Sequence, residues 1–243
     1  TYKKINAFAL NDPHVDIVSN HYYTNADNNH PEQVKKDLTA AAGKKVYMVG
    51  EFGLLDAQQL NAIMQSIVHS EVNGAQAAGG LIWGFRGHRH DGGFYWHKES
   101  TGHYSYHLPG FPVEGKANQD MEVVDLVRTA AAQMNGQEKA PPLPKPDAPT
   151  LRPTDSPFAI NWLGAAVGRA YDVERADSPS GPWKVVGRDI SDGVNEWNPQ
   201  TMDLFRDDYR SLRLGNTYYY RVIAKNESGS SSPSNVISVK HTQ

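Results

Sequence analysis

The stretch Lys44-Lys45-Val46-Tyr47-Met48-Val49-Gly50-Glu51-Phe52-Gly53 decides how the first half of the chain is read. It is an apolar run of strand length that delivers a carboxylate to its C-terminal end, where parallel α/β sheets carry their chemistry. Gly50 and Gly53 flank that carboxylate, so the backbone can turn sharply there and a ligand can approach. A run before it, Val15-Asp16-Ile17-Val18-Ser19-Asn20-His21-Tyr22-Tyr23, ends in an imidazole and two phenols. A run after it, Gly79-Gly80-Leu81-Ile82-Trp83-Gly84-Phe85, ends in an indole. Carboxylate, imidazole, phenol and indole at three successive strand ends suggest a sugar-cleaving site with Glu51 as its prime catalytic residue.

Helical patterns separate the three runs, giving βα units of about thirty residues and predicting parallel strands with crossover helices. The first helix should open at Pro31, run through Val34 and Leu38, and stop at Gly43. The second should be capped by Asp56, show Leu60, Ile63, Met64, Ile67 and Val68 on one side, and end at Asn73-Gly74. A third, over residues 119 to 134, shows Met121, Val124, Val127 and Ala131 as a stripe before Asn135-Gly136. Residues 86 to 117 form a long Gly-, His-, Trp- and Tyr-rich segment, placed over the site mouth because long loops are usually functional.

Residues 137 to 149 hold five prolines in thirteen positions and predict an extended, semi-rigid spacer. Beyond it the period becomes two, as in Ala170-Tyr171-Asp172-Val173-Glu174-Arg175 and Thr217-Tyr218-Tyr219-Tyr220-Arg221-Val222-Ile223-Ala224-Lys225, the pattern of a small β-sandwich. The expected organisation is therefore 1–136, an α/β unit; 137–146, a linker; and 147–243, the sandwich.

His21 and Tyr23, one residue apart, should share a face of their strand, with Tyr22 on the other. A phenol donating to Glu51 would hold it in place and keep it ionised, while the imidazole would bind a sugar hydroxyl. Trp83 would form a flat floor under a pyranose ring or fill a core. His88, His90, Asp91 and His97 invite a metal, but the pattern has low specificity; hydrogen bonding to sugar by His88, beside Tyr95 and Trp96, is the better account. No metal and no cofactor are expected. Asn195-Glu196 and Asn226-Glu227 imitate an acid/base pair but fall inside the sandwich pattern.

With 24 basic against 27 acidic residues, the chain lacks the charge footprint of a nucleic-acid binder. No stretch reaches the roughly 18 apolar residues that a membrane crossing needs. The chain has no cysteine, which removes disulfides and thiolate chemistry without fixing a compartment. It opens Thr1-Tyr2-Lys3-Lys4 rather than on methionine, so an upstream segment is expected.

His21-Tyr22-Tyr23, Gly50-Glu51-Phe52-Gly53 and Trp83, in that order, resemble the sixth, seventh and eighth strand ends of glycoside hydrolase family 5 and the related endo-β-mannanases. The resemblance covers residues 1 to 135. It implies the C-terminal part of a (β/α)8 barrel and a retaining glycosidase acting on β-1,4-linked polysaccharide, mannan first. In it Glu51 is the nucleophile, His21 and Tyr23 are catalytic partners, and Trp83, Tyr22, His88 and Trp96 bind substrate. The family's acid/base residue has no counterpart here, so the missing N-terminal half of the barrel becomes an expected partner, beside β-mannan or β-glucan, and the isolated chain is expected to be inactive. Residues 147 to 241 resemble a fibronectin type III domain, a spacer common in secreted polysaccharide-degrading enzymes, which implies export. The alternative is a non-catalytic carbohydrate-binding or adhesive protein using the sandwich, with Trp162, Trp183 and Trp197 as candidate contacts.

Overall fold

The computed structural model describes residues 4–23, 31–95, 98–99, 102–103, 105–111, 119–193 and 203–242. They form two compact units: residues 1–85, 97–106 and 115–141 belong to the first, and residues 86–96, 107–114 and 142–243 to the second.

The first unit runs α1 (Ala7–Asn11), β1 (Ile17–Tyr23), α2 (Pro31–Ala41), β2 (Val46–Gly53), α3 (Ala57–His69), β3 (Glu71–Val72), β4 (Ala75–Gln76), β5 (Gly80–Trp83), β6 (Lys98–Glu99), β7 (Gly102–His103) and α4 (Asp120–Met134). β1, β2 and β5 make a parallel sheet with β2 in the middle. Pro31 pre-sets the backbone at the start of α2, and Gly43 leaves it at φ 73°. Asp56 caps α3 by accepting from the Gln59 N–H at 2.8 Å, and the Gln59 side chain accepts from the Asp56 N–H, closing a capping box. α3 ends at His69, before the expected Asn73-Gly74, because that dipeptide makes the tight β3–β4 turn with both residues at positive φ. In α4 the buried apolar residues are Val123, Val124, Ala130 and Ala132, while Met121 is exposed, so the expected stripe is rotated.

The helices pack on β2 and on each other, burying Val34, Leu38, Leu60, Ile63 and Ile67 with Tyr22, Tyr47, Val49 and Phe52 from the strands. The opposite face of the sheet is open: Ile17, Val46 and Leu81 are 55 %, 49 % and 58 % exposed. β1 and β5 each pair only with β2 among the described residues. Closing a barrel needs a full ring of tilted, staggered strands. The expected C-terminal part of a (β/α)8 barrel is thus corrected to an open three-stranded parallel sheet, with described helices of only 5, 11, 13 and 15 residues.

The second unit is an all-β sandwich of β8 (Thr150–Leu151), β9 (Trp162–Leu163), β10 (Ala170–Ala176), β11 (Lys184–Ile190), β12 (Thr217–Asn226), β13 (Gly229–Ser230) and β14 (Ile237–Lys240). One layer is antiparallel, β11-β10-β12, with β13 and β14 both on β12; the other is β8–β9 with an Ile160–Phe205 bridge. Period-two patterning is what builds it: Tyr171 and Val173 on β10, and Tyr218, Tyr220, Val222 and Ala224 on β12, point inward onto Ile160 and Trp162. Trp162 is fully buried beside Tyr171, ring centroids 5.2 Å apart. Trp183 lies outside this buried cluster; it is half-buried, with the Arg221 guanidinium 4.4 Å over its ring.

The proline run does not stand apart as a spacer. Leu143 is buried, the Pro144 carbonyl accepts from the Asn226 amide at 2.7 Å, and the unit boundary falls between Pro141 and Pro142.

Candidate strand-end site

Strict alternation along β2 would send Glu51 to the helix side with Tyr47 and Val49. The ladders prevent this. Asn20 lies opposite Val49 but His21 lies opposite Glu51, and on the other edge Val49 pairs with Gly80 while Phe52 pairs with Ile82. One extra residue in β2, at Gly50, makes a β-bulge against both neighbours, and bulges beside functional sites re-aim side chains. Phe52 goes into the core and Glu51 turns toward the open side, with 29 % of its side chain accessible.

There the His21 Nδ1 lies 3.1 Å from Glu51 Oε1, and Tyr23 stands edge-on to His21 with centroids 6.3 Å apart. A Cβ placed on Gly50 would lie 2.9 Å from His21 Cδ2 and 3.0 Å from Ser19 Oγ, so the missing side chain is what lets the imidazole lie over the bulge. Gly53 pairs with Trp83 across the β2–β5 ladder, and a Cβ there would come within 2.5 Å of the Trp83 carbonyl oxygen. Leu54, just past β2, sits at φ 59°, a left-handed conformation that costs a branched residue on the order of 1–3 kcal/mol. The expected neighbours His21, Tyr23, Glu51 and Trp83 thus occupy adjacent ends of three parallel strands.

Tyr22 is corrected. It is fully buried on the helix side, where its hydroxyl donates to Asp37 Oδ2 at 2.6 Å and meets the Tyr47 hydroxyl. Asn20 and Gln33 donate to the same carboxyl at 2.9 and 3.0 Å. Burial, then the neighbouring Tyr47, pushes the Tyr22 phenol far above its ordinary range, and burial does the same to Tyr47. Tyr22 therefore cannot bind substrate; it ties β1 to α2. The sequence held a signal for this network in Asp37, a charge on the same helix face as Val34 and Leu38.

His88 is corrected as well, because it folds with the sandwich unit. Its Nε2 lies 3.2 Å from Oδ2 of the fully buried Asp192, and its ring stacks on Phe94 at 4.0 Å. Asp192 also holds the Tyr171 phenol above its ordinary range, behind the larger effect of burial. The segment expected over the site mouth is divided between the units: residues 86–95 and 107–111 fold with the second, where Arg169 donates to the Gly110 carbonyl at 2.5 Å and Phe111 crowds Gly193, while β6 and β7 belong to the first. Trp96, His97, Trp197, Asn195 and Glu196 lie outside the described residues. Glu227 pairs with Arg169 at 3.6 Å. Among the described residues no group of three or more His, Asp or Glu is placed to hold a metal ion, and no helix is long and apolar enough to cross a membrane.

Fold and site together define a two-unit chain: a parallel α/β sheet with a carboxylate–imidazole pair and an indole at its strand ends, and a β-sandwich. No family model matches the chain, and no curated protein matches it. Among solved structures it is similar to the twitchin kinase region from C. elegans, a fibronectin-, kinase- and immunoglobulin-containing protein, at 21% identity and TM-score 0.30, over 41% of this chain and 17% of that one. It is similar to an Fn3-like protein from Clostridium thermocellum at 18% identity and TM-score 0.27, over 40% and 92% of the two chains. The fibronectin type III domain of human fibronectin type III domain containing protein 3 gives 21% identity and TM-score 0.26, over 42% and 92%. The assignment of residues 1 to 135 to glycoside hydrolase family 5 does not stand: no family model matches the chain, and the described strands of the first unit form an open three-stranded sheet, while the β-sandwich of the second unit stands on its own strand pairing and core.

Proposed function

We propose that the first unit carries a glycosidase site working by double displacement on a β-1,4-linked polysaccharide, mannan before glucan, in an exported protein. The observation that carries the reading is the bulge at Gly50, which brings Glu51 out beside His21 at the C-terminal end of a parallel sheet. A Glu51 oxygen attacks the anomeric carbon; the glycosidic C–O bond breaks; the departing oxygen takes a proton from a second carboxyl group, supplied by polypeptide beyond this chain. Water, deprotonated by that same group, then attacks the anomeric carbon and releases Glu51. For retention the two carboxyl groups stand about 5–5.5 Å apart. An imidazole N–H of His21 donating to Glu51 orients the nucleophile, Tyr23 lines the same rim, and Trp83 offers a ring face to the sugar.

The test uses the complete polypeptide that contains this chain. A 2-fluoro-mannoside inhibitor should attach to the peptide spanning Val46–Gly53, and Glu51→Gln should remove hydrolysis of mannan while leaving the unfolding temperature in place. Label on another residue, or full activity in the variant, overturns the reading. The alternative, glycan binding on the sandwich tryptophans, is disfavoured because Trp162 is buried and Trp183 is covered by Arg221.

A further inference from the structure

The sandwich holds a polar cleft of about 780 Å³ at one end, between the β10–β11 turn and the start of β12. Its lining carries Arg175, Lys184 and Arg213 against a single acid, Asp177, in a chain whose net charge is −3. Arg175 is a fixed wall: it donates to Asp207 at 2.6 Å and to Ser211 Oγ at 2.9 Å, and its guanidinium lies 5.2 Å over the Tyr218 ring. Asp207 cancels its charge. Lys184 and Arg213 are exposed, belong to different segments, and form no ion pair among the described residues. Two cations left uncompensated around one cavity favour an anion, since charge-assisted hydrogen bonds are the strong ones available to a wet site.

The rest of the wall narrows the chemistry. Asn216 and Thr217 offer an amide and a hydroxyl, groups that match sugar hydroxyls rather than a bare ion. Outside the lining, on the segment that leads into β12, Tyr209 and Leu214 are 68 % and 70 % exposed and give apolar surface of the kind that packs on a pyranose C–H face. We infer that this cleft binds an acidic saccharide, a short chain of uronate residues whose carboxylates meet Lys184 and Arg213. The site is separate from Glu51 and does not depend on the glycosidase reading.

Calorimetric titration of the full chain with tetragalacturonate, mannotetraose and sodium sulfate tests it. Tetragalacturonate should bind, more weakly as salt rises, and Lys184→Ala and Arg213→Ala should each weaken binding about five- to tenfold. Asp177→Asn should tighten binding, and Lys35→Ala, on α2 of the other unit, and Glu51→Gln should leave it unchanged. Unfolding temperatures equal to the parent's show that the variants fold; Lys184→Gln and Arg213→Gln replace any that do not. Equal binding of mannotetraose, equal affinity for sulfate alone, no binding at all, or equal weakening by Lys35→Ala overturns the assignment.

Discussion

His21 and Glu51 face one another on adjacent parallel strands, 3.1 Å apart, because the β1–β2 ladder skips Gly50. The pair is thus made by backbone register as much as by side-chain chemistry, which allows the register to be tested without touching either partner.

Gly50→Ala should displace the imidazole. The added Cβ would meet the His21 ring at 2.9 Å and Ser19 Oγ at 3.0 Å, closer than unstrained carbons approach. The expected outcome is loss of the His21–Glu51 contact, visible as a change in the His21 ring nitrogen resonances that matches that of Glu51→Gln, with a stability loss of about 1–3 kcal/mol from overpacking. An unchanged His21 spectrum would contradict the geometry.

Asp37→Ala should be more damaging than its surface-like sequence context suggests. The carboxyl satisfies the Tyr22 hydroxyl and the Asn20 and Gln33 amides, and stranding buried donors costs about 1–3 kcal/mol each. Urea unfolding followed by tryptophan fluorescence should report a loss of several kcal/mol, and Tyr22→Phe a smaller one.

Alkaline titration should divide the twelve tyrosines. Tyr22, Tyr47, Tyr171 and Tyr220 all have phenol pKa values pushed up, first by burial. A group whose folded value exceeds its unfolded one favours the fold below the unfolded value, about 10 for tyrosine, and that contribution is lost as pH rises above it. Ultraviolet absorbance at 295 nm should therefore show these four ionising only with cooperative unfolding. Ionisation of these four before the fold is lost would refute this.

Arg89 grips Asp91 with two hydrogen bonds of 2.9 and 2.8 Å, and that guanidinium holds the carboxyl below its usual range. A depressed value stabilises above the unfolded carboxylate value, about 3.9, and the benefit disappears as pH falls through the folded one. The 86–95 segment should loosen in acid, seen as faster amide exchange below about pH 4, and Asp91→Asn should show the loosened exchange already at neutral pH.

His88 and Asp192 should be energetically coupled. With the carboxylate fully buried and the imidazole 14 % accessible, a double-mutant cycle of His88→Ala and Asp192→Asn should give an interaction of about 1–3 kcal/mol. Additive losses would show that Phe94 stacking, rather than the charge contact, holds the segment.

Periodicity carried the regular elements: Pro31, Asp56 and the alternation of Tyr171, Val173, Tyr218 and Tyr220 each sit where local chemistry puts them. It was silent on Gly50, because a one-residue bulge leaves the apolar pattern intact while turning Glu51 over, and only the partner strands reveal the slip. It misjudged Tyr22, whose neighbours His21 and Tyr23 face outward, because burial of a phenol depends on a distant acid, Asp37. It misplaced His88 for a similar reason: its partner Asp192 lies 104 positions away, beyond any local signal. The assignment to the C-terminal part of a barrel failed because three motifs at strand ends do not say which architecture those strands belong to.

The Pro141–Pro142 boundary also marks where the last continuous stretch of the sandwich unit begins. Severing the chain at Asp147, where composition alone would cut, would strip Leu143 from its buried seat and deprive the Asn226 amide and the Ser228 hydroxyl of the carbonyls of Pro144 and Leu143. A protease nick before Pro142 leaves the sandwich with its N-terminal strap intact, so that the apparent tether behaves as a selvedge woven into the cloth it borders.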